Sequence, residues 1–447
     1  MLTEEQRKIG RRTFLKAAAT LPVVGAFAWA NRAKALHERP VQAGIIGAGS
    51  EGQVLLENAP MKAIEFRAVA DIRPDSRERA AEVITTRWGN QAEMYGGDYH
   101  RLLEQDDIEA VLIATPPWKH AEMAIAALDA GKHVLVEKTM ATSIADCKRM
   151  VQAARRNGRL LQVGHQRHSN RLYHTAWKMV REGKIGEVYH IRTLWHRNND
   201  WRREVPDLAE LRDLDPSFSP GKWGYGSLEE LVNWRLYRKY SEGLMGELGS
   251  HQLDVVNWFT GTVPRRVTGT GGIFRWQDGR NVDDHVFVTF DYPAGPLTRT
   301  GLTVTFSSIT SNKFDDYYEQ FMGTKGTLIL AGETQAMLFS EEEDEATAIS
   351  VKKATTQGPV MEASASRTAD ASAGEATAVG TETGEPQMGR LEPYMREIEG
   401  FCAAIKFGTA VPCDCATALA AAVVVVAANE AIDSKAPREL ADDLYVC

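Results

Sequence analysis

Between residue 41 and about 165, short unbroken apolar runs alternate with glycine- or proline-bearing turns and helical stretches. Residues 41–46, 65–70, 110–114, 133–136 and 160–163 read as strands buried on both faces, with helices over 53–58, 121–130 and 144–157 between them. That order predicts a doubly wound parallel sheet. Beyond residue 166 the period changes: 188–194, 285–290 and 300–306 alternate apolar and polar positions, as strands with one covered face do. Residues 246–259 place Glu247, His251, Asp254 and Trp258 on one side of a predicted helix, with Leu248, Val255, Val256 and Phe259 available for packing. Near the end, 391–407 reads as an amphipathic helix. Residues 416–432 are apolar on all sides but too short for a comfortable membrane span, so a buried helix is expected.

Two stretches fall outside this pattern. Arg11-Arg12-Thr13-Phe14-Leu15-Lys16 precedes an apolar run over 17–30 and the small-x-small sequence Ala33-Lys34-Ala35, which together read as a twin-arginine export signal over 1–35. The expectation is a chain folded before export, handed to the twin-arginine machinery and exported to the periplasm. The second stretch, 341–389, opens with Glu341-Glu-Glu-Asp-Glu345 and continues in Ala, Ser, Thr, Gly and Glu almost without aromatics. It has too little apolar surface to offset ordering and is expected to be a disordered insertion.

Charge narrows the partners. The whole chain carries −8, and loss of residues 1–35, with seven Lys/Arg and two Asp/Glu, takes this to −13. Such acidity disfavours nucleic acid and anionic membrane and fits a neutral substrate better than a polyanion. The five cysteines, Cys147, Cys402, Cys413, Cys415 and Cys447, lack metal-ligand spacing and read as mostly buried small apolar residues; no metal site is expected.

The first strand runs into Gly47-Ala-Gly49-Ser-Glu-Gly52 at the mouth of a helix, the dinucleotide fingerprint in its required setting. Gly47 permits the tight turn, Gly49 lets a pyrophosphate approach the backbone, and Gly52 lets helix and strand pack closely. The second strand ends in Asp71, 19 residues after Gly52, where an acid binds the ribose hydroxyls of NAD. Arg73 reads either as a receiver of the extra phosphate of NADP or as a solvated loop charge, while Asp71 repels that phosphate; NAD is favoured over NADP. Thr115, Pro116 and His120 follow the end of the third predicted strand and Glu137-Lys138-Thr139 the next, so all point toward one crevice.

Taken together, Gly47-x-Gly49-x-x-Gly52, Ala114-Thr-Pro116 with His120, Ala130-Gly-Lys-His-Val134, Glu137-Lys138 and Gly246-Glu-Leu-Gly-Ser-His251 with Asp254 resemble the Gfo/Idh/MocA oxidoreductases over nearly all of 40–335 and the C-terminal helices. The resemblance implies an α/β chain: a Rossmann NAD(P)-binding domain over 38–165, an α+β substrate and oligomerisation domain over 166–340 with an open, mainly antiparallel sheet, and C-terminal helices over 390–447 packing on the second domain. It implies a homo-oligomer, a dimer or tetramer. It also places Lys138 beside the nicotinamide and the reacting hydroxyl, although Thr139 stands where the family usually has proline.

His251 is the expected general base, because an imidazole accepts a proton near neutral pH. Glu247 could orient it; the family generally has aspartate there. Arg167, with His165, follows the last Rossmann strand and is a candidate for substrate contact, as are Trp195 and Asp254; Asp254 reads equally as an anchor of its helix. Trp195, Trp201, Trp223 and Trp234, with Arg202, Arg203 and Arg235 among them, either stack on sugar rings or fill the gap between loop and sheet. The expected reaction moves a hydride between a secondary hydroxyl of a sugar, glycoside or cyclitol and a tightly held NAD(P). The alternatives are a glycoside hydrolase or lyase working through transient oxidation and elimination, and a sugar-sensing protein that has kept the fold.

Overall fold

The computed structural model describes residues 2–19, 39–341, 349–354, 358–363 and 386–447. Six strands, β1 (Val41–Ile46), β2 (Ile64–Ala70), β3 (Glu93–Tyr95), β4 (Ala110–Ile113), β5 (His133–Glu137) and β6 (Leu161–Gly164), form a wholly parallel sheet in the order β3-β2-β1-β4-β5-β6. β4 and β5 are buried along almost their whole length because helices cover both faces, which is why they read as continuous apolar runs. The covering helices carry their own stop signals. Ser143 accepts a hydrogen bond from the Asp146 backbone N–H to open Ile144–Asn157, and Gly158, at φ 60, closes it.

The second sheet contains β7 (Val188–His196), β8 (Arg266–Gly272), β9 (His285–Tyr292), β10 (Leu302–Ile309), β11 (Tyr317–Gly323), β12 (Gly326–Ala331), β13 (Gln335–Ser340) and, after the ribbon described below, the two-residue β16 (Arg438–Glu439). Its order is β13-β12-β11-β7-β10-β9-β8-β16, antiparallel throughout except for β7 beside β10. In β10, Leu302, Val304 and Phe306 turn inward and alternate with half-buried Thr303, Thr305 and Ser307. The inward face packs against the helix Ser250–Thr260. The chain is therefore α/β with a Rossmann domain and a second, mainly antiparallel α+β domain.

The C-terminal helices differ from the expectation that both pack on the second domain. Pro386–Phe407 inserts Ile398, Phe401 and Cys402 among Val41, Ala43 and Leu112 of the nucleotide domain. Full burial of Ile398 and Phe401 contributes roughly 1.5–3 kcal/mol each. Cys415–Ser434 is a bridge: Ala418, Leu419, Ala422 and Val423 enter the nucleotide-domain core, and Val424, Val425, Ala428 and Ile432 the second. Small apolar residues on every side let both domains approach it. The helix has a mean hydropathy of 1.9 and is long enough to cross a membrane, yet it is mostly buried inside the protein.

At the N-terminus, Glu4–Ala19 is a helix lying on β13, with Phe14 buried and Gly10 so close to Phe339 that a Cβ would come within 2.6 Å of its ring. Arg11 and Arg12 are exposed. The expected cleavage sequence at 33–35 lies outside the described residues, as does most of 341–389. Within that second stretch the structure describes a two-stranded antiparallel ribbon, β14 (Ile349–Ala354) with β15 (Gly358–Ala363), and the start of the helix at Pro386. All five cysteines are free, and Cys147, Cys402 and Cys413 are buried.

Candidate functional site

The carboxyl ends of β1, β2, β4 and β5 open onto a cavity of about 900 Å³ whose facing wall comes from the second domain. At its floor, Gly47 has φ +88, and a Cβ there would meet Ala114 and Thr115 atoms at 2.7 Å. A Cβ on Gly52 would sit 2.2 Å from the Gly47 carbonyl oxygen, so that glycine serves helix docking and does not itself line the cavity. Gly49 does line it, and a Cβ there would meet nothing within 4 Å: it would only fill the cavity. Asp71 is fixed at the turn by two backbone N–H groups, from Ala48 at 2.5 Å and Arg73 at 2.7 Å. Burial raises its carboxyl against the pull of those amides. The Arg73 guanidinium is held by Asp75 and still borders the cavity, as do Thr115, Pro116 and Glu137.

His120 does not reach the cavity. Fully buried, its ring nitrogens lie 2.7 Å from the Thr115 carbonyl and 2.9 Å from that of Thr139, so it braces the two loops that carry Thr115 and Lys138. Thr139 in turn donates to the Gly246 carbonyl at 3.0 Å, tying the lysine loop to the second domain. Burial raises the Glu137 carboxyl well above its ordinary value, with the neighbouring Glu51 adding to it.

Lys138 and His251 face the same cavity. The Lys138 ammonium donates to the Glu247 carbonyl at 3.3 Å and stands 4.0 Å from its carboxylate. Glu247 is buried, which pushes its carboxyl up, but Lys138 and Arg235 outweigh this and hold it below the usual range; Arg235 donates to it at 2.8 Å. This corrects the expectation that Glu247 orients His251. The helix expected over 246–259 begins with a π turn, Met245–Gly249, and becomes α only at Ser250. The wider winding removes the four-residue stacking of 247 over 251. Among the described residues His251 Nδ1 has no hydrogen-bond partner. Burial, then Lys138 and Arg167, hold its imidazole well below its ordinary pKa, so it is neutral.

Two candidates for substrate contact lie behind the wall. Arg167 is 1% exposed, bonded to Glu319 on β11 and to Glu333 in the loop after β12, with Tyr173 also on Glu319. A buried guanidinium needs this neutralisation, and the two carboxylates come from segments more than 150 residues away. Asp254 is buried as well, 2.9 Å from His168 Nε2 and 3.7 Å from His165 Nδ1. Burial pushes the His165 imidazole down to about 4. His168, Asp254 and Cys413 place ligand-type atoms within 4.8 Å of one another, all buried.

Trp195, Trp201, Trp223 and Trp234 all border the cavity, while Trp223 and Trp234 also pack against a small core containing Tyr225 and Tyr240. Trp195 stacks on Tyr317 at 4.3 Å and its ring lies 5.6 Å from that of His251. Two arginines acquire roles that local pattern did not assign. Arg203 reaches across from the second domain to donate to Ser50 Oγ on the glycine turn at 2.8 Å. Arg197 also borders the cavity. A signal for it existed, since strand alternation puts residue 197 on the side of Trp195.

Residues 41–165 match the description "Oxidoreductase family, NAD-binding Rossmann fold", and residues 177–440 match "Oxidoreductase family, C-terminal alpha/beta domain", both of the Gfo/Idh/MocA family. The chain belongs to the Gfo/Idh/MocA oxidoreductases. Similar curated proteins include a 2,7-anhydro-N-acetylneuraminate hydratase of Escherichia coli, 27% identical over 257 residues (55% of this chain, 60% of the relative). An inositol 2-dehydrogenase of Salmonella paratyphi B is 33% identical over 150 residues, 33% of this chain and 43% of the relative. Among solved structures, levoglucosan dehydrogenase in complex with NADH and L-sorbose superposes with a TM-score of 0.64 at 19% identity, covering 90% of this chain and 99% of the other; at that identity the likeness shows the fold. The NAD-binding domain of this Gfo/Idh/MocA chain fits its cofactor: Gly49 leaves the open space a phosphate would need, and Asp71 is an anchored carboxyl at the cavity edge that could hold ribose hydroxyls.

Proposed function

We propose that the protein oxidises or reduces a secondary hydroxyl of a sugar, glycoside or cyclitol with NAD held at the glycine turn. The observation that carries this reading is the convergence of Lys138 and His251 on one cavity that also contains the glycine turn and Asp71. When bound, NAD supplies the acceptor for the hydride. Gly47 and Gly49 provide backbone without side chains, Asp71 would receive the ribose hydroxyls, and Arg203 with Ser50 would meet the pyrophosphate. Neutral His251 takes the hydroxyl proton while the Lys138 ammonium stabilises the oxygen as negative charge develops. Glu247 holds that ammonium in place, and Trp195 borders the space the sugar ring would occupy. The named substrates of the relatives, an anhydro-sugar acid and inositol, support a polyhydroxylated substrate.

Purified protein should gain the absorbance of reduced cofactor when one member of a broad sugar and cyclitol panel is added; silence across the panel contradicts the reading. The likeness to a hydratase favours a second reading in which oxidation is transient and water or an aglycone is eliminated before the cofactor is restored. Product analysis separates the two: an eliminated product with no net redox change selects the second.

The paired arginines and the apolar run behind them support export through the twin-arginine route, with the cofactor loaded before transport and tightly retained, and action in the periplasm. An exported species beginning near Leu36, still carrying NAD and assembled as a dimer or tetramer by native mass spectrometry, is the expected outcome.

A further inference from the structure

The substrate-facing wall has a charge imbalance. Lys138 and Arg235 share one carboxylate, Glu247, at 4.0 and 2.8 Å. Burial raises the carboxyls of Glu51 and Glu137 toward their neutral forms, and although Glu247 and Asp316 attract the Arg197 guanidinium, neither comes within ion-pair distance of it. Arg197 is left over. Its guanidinium lies 4.9 Å from the centre of Trp195 and 5.7 Å from that of Trp201, and it enters no hydrogen bond or ion pair with any described side chain. Nearby Arg202 and Arg280 show the contrast, since both are paired with Asp278.

Cation–π contact holds the guanidinium in place without neutralising it, and its in-plane N–H groups stay available. The site is also placed for a substrate. Trp195 neighbours both the Arg197 guanidinium, at 4.9 Å, and the His251 ring, at 5.6 Å, whereas Arg203 reaches the glycine turn at Ser50.

We infer that the substrate is an acidic sugar, one bearing a carboxylate that Arg197 receives while the ring lies in the cavity beside Trp195. The inference rests on the oxidoreductase reading and narrows its substrate class. A guanidinium without an ion pair, its N–H groups in one plane, matches the two oxygens of a carboxylate. The carboxylate has a chemical consequence as well. Arg197 is among the cations that depress His251, so neutralising it makes the imidazole a stronger base only when the right substrate is seated.

The test measures binding to the NAD-loaded protein by calorimetry for matched pairs: D-glucuronate against D-glucose, D-galacturonate against D-galactose, and D-glucose 6-phosphate as the second anion. At least one uronate should bind roughly tenfold more tightly than its parent hexose, as a charge-assisted hydrogen bond provides. Arg197→Met should bring the pair to within about twofold and Arg197→Lys should keep part of the preference, with NAD retention unchanged in both. Hexoses bound as tightly as uronates, uronates that do not bind, a preference that survives Arg197→Met, or tighter binding of the phosphate than of the uronates would each overturn the assignment. Reduced-cofactor absorbance in the same samples judges the oxidoreductase reading separately: a uronate that binds through Arg197 without ever changing the cofactor sinks that reading and leaves this one standing.

Discussion

On the nucleotide side of the cavity Gly47, Gly49 and half-buried Asp71 lie within 25 residues of one another, whereas the rest of the lining is assembled from side chains as distant as Lys138 on the same domain and Trp195, Arg235, His251 and Tyr317 on the other. The first is set by the turn between one strand and one helix. The second exists only once the π turn, the end of β7 and the start of β11 have been brought together. Conformation of the chain itself therefore defines the cofactor site, while charge pairing decides which side chains of the other wall remain free for a ligand.

The sharpest separation is between two arginines of the second domain. Arg167 is enclosed and bonded to Glu319 and Glu333, so Arg167→Met leaves buried carboxylates uncompensated and should cost about 3–5 kcal/mol of stability in urea unfolding. If Arg167→Met instead folds normally and loses sugar binding, the division between buried and cavity-facing cations is wrong. Lys138→Ala should lower turnover by about 100- to 1000-fold, because it removes the group that stabilises developing charge. NAD affinity, measured by fluorescence titration, should stay within about twofold; loss of both together would assign the lysine to the cofactor. Arg203→Ala acts across the boundary and should loosen NAD by roughly tenfold with little change in turnover at saturating cofactor. A purely substrate-side effect would place that arginine on the other wall.

The smallest effect is on acid stability. His165 is buried with its pKa pushed down to about 4, against about 6.5 when unfolded. Between those values the unfolded chain binds the extra proton, so stability falls as pH drops from about 6.5 toward 4 and is unaffected by this group above that window. His165→Asn should flatten the slope of urea midpoint against pH there; an unchanged slope would mean that the imidazole is already charged when folded.

The same contrast explains what local sequence could reveal. The parallel sheet, its glycine turn and Asp71 were legible because strand, turn, helix and acid follow one another at fixed spacing. The family resemblance implies the role of Lys138, and the chemistry of an imidazole singles out His251. Arg167 was legible only as a polar residue after a strand, since its carboxylates arrive from β11 and the β12–β13 loop. Glu247 was assigned to His251 on α-helical spacing that the π turn abolishes. The helix Pro386–Phe407 was recognised as amphipathic, but an apolar stripe does not say which domain it covers, and it covers the nucleotide domain.

The central claim is that carbon-bound hydrogen of the substrate passes directly to NAD in the cavity flanked by Lys138 and His251. Perdeuterated substrate, chosen from the sugar panel by the absorbance response, should leave one deuterium on the nicotinamide ring of the retained cofactor after a single turnover, read by mass spectrometry. Product formation with a ring that stays unlabelled would contradict the account.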